Sequence, residues 1–244
     1  MLNGKKVLLI ITGGIAAYKS LELVRKLKEK GADVIPVMTK AAENFVTPMS
    51  VSALAQEKVF NKLFDLTDEA EMGHIELSRS SDLIIVVPAS ADFIAKTATG
   101  QANDLASTLI LATDTKVLMA PAMNVRMWEN PLTQKNIKIL HNNGVKFVGP
   151  DEGEMACGEF GFGRMAEADE ILKEIEANFR DKKLKGRHFL VTSGPTIEPI
   201  DPVRFIGNRS SGLQGGAIAN ELVESGAEVT FITGPVNLDP PHGS

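Results

Sequence analysis

Short apolar runs alternate with amphipathic stretches along most of the chain. Lys5 to Thr12 (KKVLLIIT) is a lysine pair followed by a β-branched run that stops at Gly13-Gly14. A helical periodicity then extends from Ile15 to Lys30 and closes at Gly31, and Ala32 to Met38 (ADVIPVM) is extended again. Asp82 to Pro88 (DLIIVVP) and Lys116 to Ala120 (KVLMA) are further apolar runs, each ending in a Pro and Ala cluster, and Gly144 to Pro150 reads as a later strand. Helices are predicted over Pro48 to Leu54, Ala102 to Ala112, Pro131 to Asn142 and Glu167 to Phe179. Continuous apolar strands separated by helices predict a parallel sheet covered on both faces.

The opening pattern returns near the end. Arg187 to Thr192 leads to Ser193-Gly194-Pro195, and a helix around Leu213 to Glu224 runs into an extended segment after Gly226. A second strand-glycine-helix unit behind the basic stretch Arg180 to Arg187 predicts a second, nucleotide-handling α/β domain, with a boundary near residues 181 to 186. About ten residues follow that unit, too few to complete a self-sufficient sheet, so the second domain is expected to be truncated.

Composition narrows the class. The chain is 43% hydrophobic and 23% charged, which excludes a disordered chain, and its net charge of -5 argues against nonspecific nucleic-acid binding. The start lacks a cleavage site for a signal peptide and no run reaches membrane-spanning length, so no membrane and a cytoplasmic setting are expected. One cysteine, Cys157, excludes a disulfide within the chain and a multi-thiolate zinc site, and no metal spacing links the four histidines.

Ligands of open parallel sheets sit beyond the carboxyl ends of the strands. There the sequence places Gly13-Gly14, Thr39, Pro88-Ala89-Ser90-Ala91-Asp92 and Pro121-Ala122-Met123-Asn124. Helix N-termini and hydroxyls make a phosphate cradle, although a Gly-Gly pair is equally a plain tight turn. His74 is flanked by Glu71 and Glu76, a setting that suits a surface helix cap as well as a base. Asn124 has an amide that can bond a carboxylate, or it is a turn asparagine beside core residues. Cys157 lies among glycines 153, 158, 161 and 163, a stretch suited to a mobile flap.

The segments GGIAAYKS, MGHIELSR, PASADFIAKTATGQANDLAS, PAMNVRMWENP and ACGEFGFGRMAE together resemble phosphopantothenoylcysteine decarboxylases of coenzyme A biosynthesis, members of the flavin-containing cysteine decarboxylases. The segment GPTIEPIDPVRFIGNRSSG resembles the start of phosphopantothenate-cysteine ligase, the CTP-using partner fused behind the decarboxylase in bifunctional bacterial proteins. The fold class expected is α/β, a flavodoxin-like or Rossmann-like doubly wound parallel sheet followed by a truncated second α/β unit. The domains expected are a decarboxylase over 1–180 and a ligase fragment over 187–244.

The resemblance implies FMN as cofactor and 4'-phosphopantothenoylcysteine as substrate. It assigns His74 as the base assisting thiol oxidation, Asn124 as holder of the substrate carboxylate and Cys157 as proton donor. FMN contacts fall on Gly14, Ile15, Ala16, Thr39, Ser90, Ala91, Asp92, Phe93, Ala122 and Met123, and a substrate flap on Met155, Ala156, Gly158, Gly163 and Met165. It also implies homo-trimers or sets of trimers with flavin sites near subunit boundaries, with Asn124 a candidate to serve a neighbour's flavin. In the ligase part it points to Gly194, Asn208 and Ser210-Ser211-Gly212, with CTP and Mg2+ needed only by a complete ligase domain. Ser193-Gly194-Pro195-Thr196 and Leu213-Gln214 depart from the usual ligase pattern, and ligation is expected to be absent. The alternatives are a decarboxylase of another cysteine-terminated substrate and a flavin-binding regulatory or assembly protein without turnover.

Overall fold

Every residue of Leu83–Ala89 (β3) is buried, as are all but the first of Lys6–Ile11 (β1). Strands buried on both faces belong in the middle of a sheet. The computed structural model describes residues 2–63, 74–155, 158–180 and 182–240, without the side chains of residues 74 and 75. In it β1 and β3 pair side by side in parallel. Asp33–Met38 (β2) flanks β1, while Val117–Pro121 (β4) and Lys146–Phe147 (β5) extend the sheet beyond β3. The order β2-β1-β3-β4-β5, parallel throughout, is a flavodoxin-like doubly wound arrangement: the hydrophobic pattern predicts the parallel sheet, and the fold class is the one expected with the family resemblance.

Helices cover both faces. Ala17–Glu29 (α1) buries Ala17, Ser20, Leu23, Val24 and Leu27, a stripe at helical spacing, and packs with Pro48–Ala55 (α2). On the opposite face Leu8, Ile10, Ile84 and Val86 join one apolar cluster with Phe93 and Ile94 of Ala91–Ala98, Leu105 and Leu109 of Leu105–Ala112, and Leu140 of Pro131–Asn142. In chain order the helices from the middle of the chain are His74–Arg79 (α3), Ala91–Ala98 (α4), Leu105–Ala112 (α5), Val125–Glu129 (α6), Pro131–Asn142 (α7) and Ala168–Phe179 (α8).

Two sequence expectations change. The helix expected from Ala102 begins at Leu105, because the Asp104 carboxylate accepts the Ser107 N–H at 2.8 Å while the Ser107 hydroxyl accepts the Asp104 N–H at 3.2 Å. That reciprocal capping box fixes the start. The glycine-rich stretch expected as a mobile flap contains an antiparallel hairpin, Asp151–Glu154 (β6) with Phe160–Arg164 (β7), whose register shifts between Asp151 and Glu152.

The chain divides into compact units over 1–176 and 177–244. In the second unit His188–Ser193 (β8) pairs in parallel with Glu228–Thr233 (β11). Between them in sequence come Ile197–Pro199 (β9) and Phe205–Gly207 (β10), an antiparallel pair, and the helix Leu213–Glu224 (α9). Ala219, Ala227 and Val229 form the buried core under α9, with Phe189 and Val191 packed against it. The alternate residues are left bare, Leu190 at 62% exposure among them. Among the described residues no helix is long and apolar enough to cross a membrane.

Candidate active site

The carboxyl ends of β1 and β3 lie side by side where the strand order reverses, and one buried side chain joins them. The Thr12 hydroxyl donates to the Pro88 carbonyl at 2.6 Å and accepts the Ser90 N–H at 3.0 Å. Ser90 in turn caps α4, its Oγ accepting the Phe93 N–H at 3.3 Å. Sequence reasoning passed over Thr12 as a site residue, since its partners stand 76 and 78 positions away.

Gly13 is required by close approach: a Cβ there would stand 2.5 Å from the Ala41 Cβ. Gly14 faces open space, with nothing within 4 Å of a Cβ position. The start of α1 carries no side-chain cap at Ala16, and the N–H groups of Gly14, Ile15 and Ala16 meet no protein acceptor among the described residues. An uncapped helix start at a topological switch point has the donors an anion needs. Thr39 closes the β2 side, its N–H donating to the Ile11 carbonyl at 3.0 Å. Behind α4, the Lys96 ammonium lies 3.1 Å from Asp92 and 3.7 Å from Asp104. The hydrogen bond to Asp92 holds it above the usual lysine range against the opposing effect of burial.

The loop after β4 forms the other wall. The Ala122 N–H donates to the Ala89 carbonyl at 3.1 Å, and the Met123 N–H to the Gly163 carbonyl at 3.0 Å. The hairpin therefore rests on the segment that carries Asn124. A Cβ at Gly163 would overlap the Met123 carbonyl oxygen and one at Gly161 would overlap the Val125 side chain, so these glycines let β7 press against the loop. Asn124 caps α6 with its Oδ1, which accepts the Met127 N–H at 2.8 Å. That bond turns the carboxamide so that its Nδ2 hydrogens remain for another acceptor. On the hairpin, Met155 and Glu159 bond across the turn, with Gly158 donating to the Met155 carbonyl at 2.9 Å, and Met165 is buried just past β7. At the hairpin root, burial and then the Glu170 carboxylate raise the Asp151 carboxyl above its ordinary value, opposed by Arg164.

The parallel topology thus puts Gly14, Ile15, Ala16, Thr39, Ser90 to Phe93 and Ala122 to Asn124 after the carboxyl ends of one sheet's strands, and the hairpin that carries Met155, Gly158, Gly163 and, just past it, Met165 joins them through the Gly163 carbonyl. His74 opens α3, its side chain outside the described residues, as are Ala156 and Cys157. In the second unit the expected loop residues also converge. The Ser193 hydroxyl donates to the Gly212 carbonyl at 2.9 Å, and Gly194 and Gly212 both adopt positive φ. The Asn208 amide donates to the Thr196 hydroxyl at 3.1 Å and accepts the Ser210 N–H at 3.0 Å, while the Ser211 Oγ accepts the Leu213 N–H at 3.4 Å.

Thr12→Val keeps the shape and removes both bonds, leaving a buried carbonyl and a part-buried N–H unpaired at a cost of about 2–3 kcal/mol. The thermal midpoint should fall by about 5–10 °C and anion affinity with it, while Thr12→Ser should behave like wild type. Calorimetry of both variants checks this; a Thr12→Val protein as stable as wild type beside a destabilised Thr12→Ser would show that methyl packing, and not the hydroxyl bridge, holds the edge together.

Comparison with known proteins follows the same division of the chain. The Flavoprotein family model matches residues 1–180, and the model of the DNA/pantothenate metabolism flavoprotein C-terminal domain matches residues 184–244. The coenzyme A biosynthesis bifunctional protein CoaBC of Vibrio parahaemolyticus is 50% identical over 242 residues, covering 99% of this chain and 61% of the relative. The chain therefore spans 61% of that relative's length. A solved PPC decarboxylase, a cysteine-to-serine mutant complexed with pantothenoylaminoethenethiol, is similar with a TM-score of 0.64 and 30% identity over 72% of this chain and 99% of that one. The FMN binding protein AtHal3 follows with a TM-score of 0.61 and 31% identity over 71% of this chain and 96% of that one.

Proposed function

We propose, from the premise that this chain belongs to the Flavoprotein family, that its first unit binds FMN and decarboxylates 4'-phosphopantothenoylcysteine to 4'-phosphopantetheine. The observations that carry this reading are an uncapped helix start after β1 at the switch point and, on the loop after β4 of the same sheet, an asparagine whose Nδ2 is left to donate. The donor set fits FMN: free N–H groups and the Ser90 hydroxyl suit a phosphate, and Ala122 with Met123 offers an apolar wall.

A saturated cysteine has no place to put the electrons released when its carboxylate leaves. When bound, FMN supplies a hydride acceptor and later a hydride donor for the carbon bearing the thiol, so the overall reaction is redox neutral. His74 takes the thiol proton as that carbon becomes a thioaldehyde, whose C=S lies β to the carboxylate and accepts its electrons. Asn124 orients the carboxylate through Nδ2, and loss of carbon dioxide leaves an enethiolate. Cys157 returns a proton when the saturated thiol is restored. The hairpin shields the reactive thioaldehyde from water. Supporting this reading are the bifunctional relative named for coenzyme A biosynthesis and the solved decarboxylase with its enethiol.

The second unit is read as the opening part of the CTP- and Mg2+-dependent ligase, with Gly194, Asn208 and Ser210 to Gly212 in its nucleotide loops. We read the two activities as consecutive steps, the decarboxylase working as a homo-trimer or assembly of trimers. Mass spectrometry after anaerobic mixing of FMN-loaded protein with 4'-phosphopantothenoylcysteine should show a product lighter by one carbon dioxide. Unchanged substrate beside bound flavin would instead favour a flavin-binding protein without turnover on this compound.

A further inference from the structure

Three ion pairs lace α1 to the chain that follows the hairpin: Lys19 to Glu167 at 2.9 Å, Lys26 to Asp169 at 2.8 Å and Lys30 to Glu176 at 3.0 Å. In each of the three pairs one partner is about half exposed or more, as is usual of surface pairs. Lys19 is different. Its side chain is 14% exposed, and its ammonium also lies 3.5 Å from the carbonyl oxygen of buried Met165. A sheltered ammonium held by a carboxylate and a main-chain carbonyl fixes the backbone it touches more firmly than a solvated pair does.

Both ends of that connection matter. Lys19 is the third residue of α1, just inside the uncapped helix start. Met165 follows the last residue of β7, Arg164, which pairs in register with Asp151 at the start of β6 and lies 3.5 Å from Glu167. Both strands of the hairpin therefore meet at the group that Lys19 holds. Farther along, β7 rests on the Asn124 segment through Gly161 and Gly163.

We propose that Lys19 is a positioning residue that couples the phosphate cradle to the hairpin, so that filling the cradle restrains the hairpin over Asn124. This rests on the FMN reading given above. A phosphate seated on the first turn of α1 stiffens that turn, Lys19 sits in it, and the stiffening passes to Met165 and Glu167. The side chain touches neither the cofactor site nor the reacting atoms, and its effect runs through the backbone of the hairpin.

Hydrogen exchange of the amides in 151–155 and 158–165, measured with and without FMN, tests the coupling, and a separate fluorescence titration measures FMN affinity. In wild type, FMN should slow exchange there by about three- to tenfold, and in Lys19→Met by less than about twofold, with FMN affinity within about threefold of wild type. Glu167→Gln should reproduce Lys19→Met, and Lys19→Arg should restore the wild-type response. Lys26→Met removes the next pair along α1, to Asp169 in the first turn of α8, and should leave the response intact. FMN-dependent protection that persists in Lys19→Met, or that disappears equally in Lys26→Met, overturns the coupling. Wild type that binds no FMN in the titration overturns the cradle reading and the coupling with it, whereas wild type that binds FMN without protecting the hairpin overturns the coupling alone.

Discussion

Asn124→Asp should lower kcat/KM for decarboxylation by about a thousandfold or more while leaving the fold and FMN binding nearly unchanged. The separation is possible because the two ends of the carboxamide have different jobs. Oδ1 caps α6 by accepting the Met127 N–H at 2.8 Å, and an aspartate oxygen does this equally well. Nδ2 has no such duty and is the group read as holding the substrate carboxylate. Aspartate replaces that donor with a negative charge, which repels a carboxylate in a partly dry site. Asn124→Ala is a less clean test, because it also removes the cap, worth about 1 kcal/mol. Steady-state kinetics with a flavin titration and a thermal midpoint decide the matter. Activity within about tenfold of wild type would remove Asn124 from substrate binding.

Cys157→Ser should cut formation of 4'-phosphopantetheine by about a thousandfold while carbon dioxide is still released in the first turnover. A serine hydroxyl is a far weaker acid than a thiol, so oxidation and decarboxylation proceed and the final protonation stalls. The enethiol should accumulate in a single-turnover sample, and the visible flavin absorbance should not recover. Rapid-quench mass spectrometry checks it. Normal product formation would take the proton-donor role away from Cys157, and loss of carbon dioxide release would move that residue to an earlier step.

The central strands and α1 were legible because their signals are local. A β-branched run, a glycine pair, a 3.6-residue periodicity and a closing Gly31 name a β-turn-α-β unit without tertiary information. The hairpin was not, since glycine-rich sequence reads as a loop. Gly161 and Gly163 serve the close approach of β7 to Val125 and Met123, a contact between segments distant in sequence. Thr12 was hidden for the same reason, because its value depends on Pro88 and Ser90 arriving beside it. At five residues, α6 is too short to show a period, and only the Asn124 cap marks its start. The strand-end loops could be placed from the pattern alone, whereas the FMN contacts and the roles of His74, Asn124 and Cys157 came from likeness to a family.

The most direct measurement follows the substrate carboxyl carbon. FMN-loaded protein is incubated without oxygen with 4'-phosphopantothenoylcysteine labelled at the cysteine carboxyl, in parallel with a peptide ending in labelled cysteine. Labelled carbon dioxide released in step with 4'-phosphopantetheine, and far faster than from the peptide, is the result expected here. Label retained in the phosphorylated substrate while flavin remains bound, or released only from the peptide, would contradict the assignment.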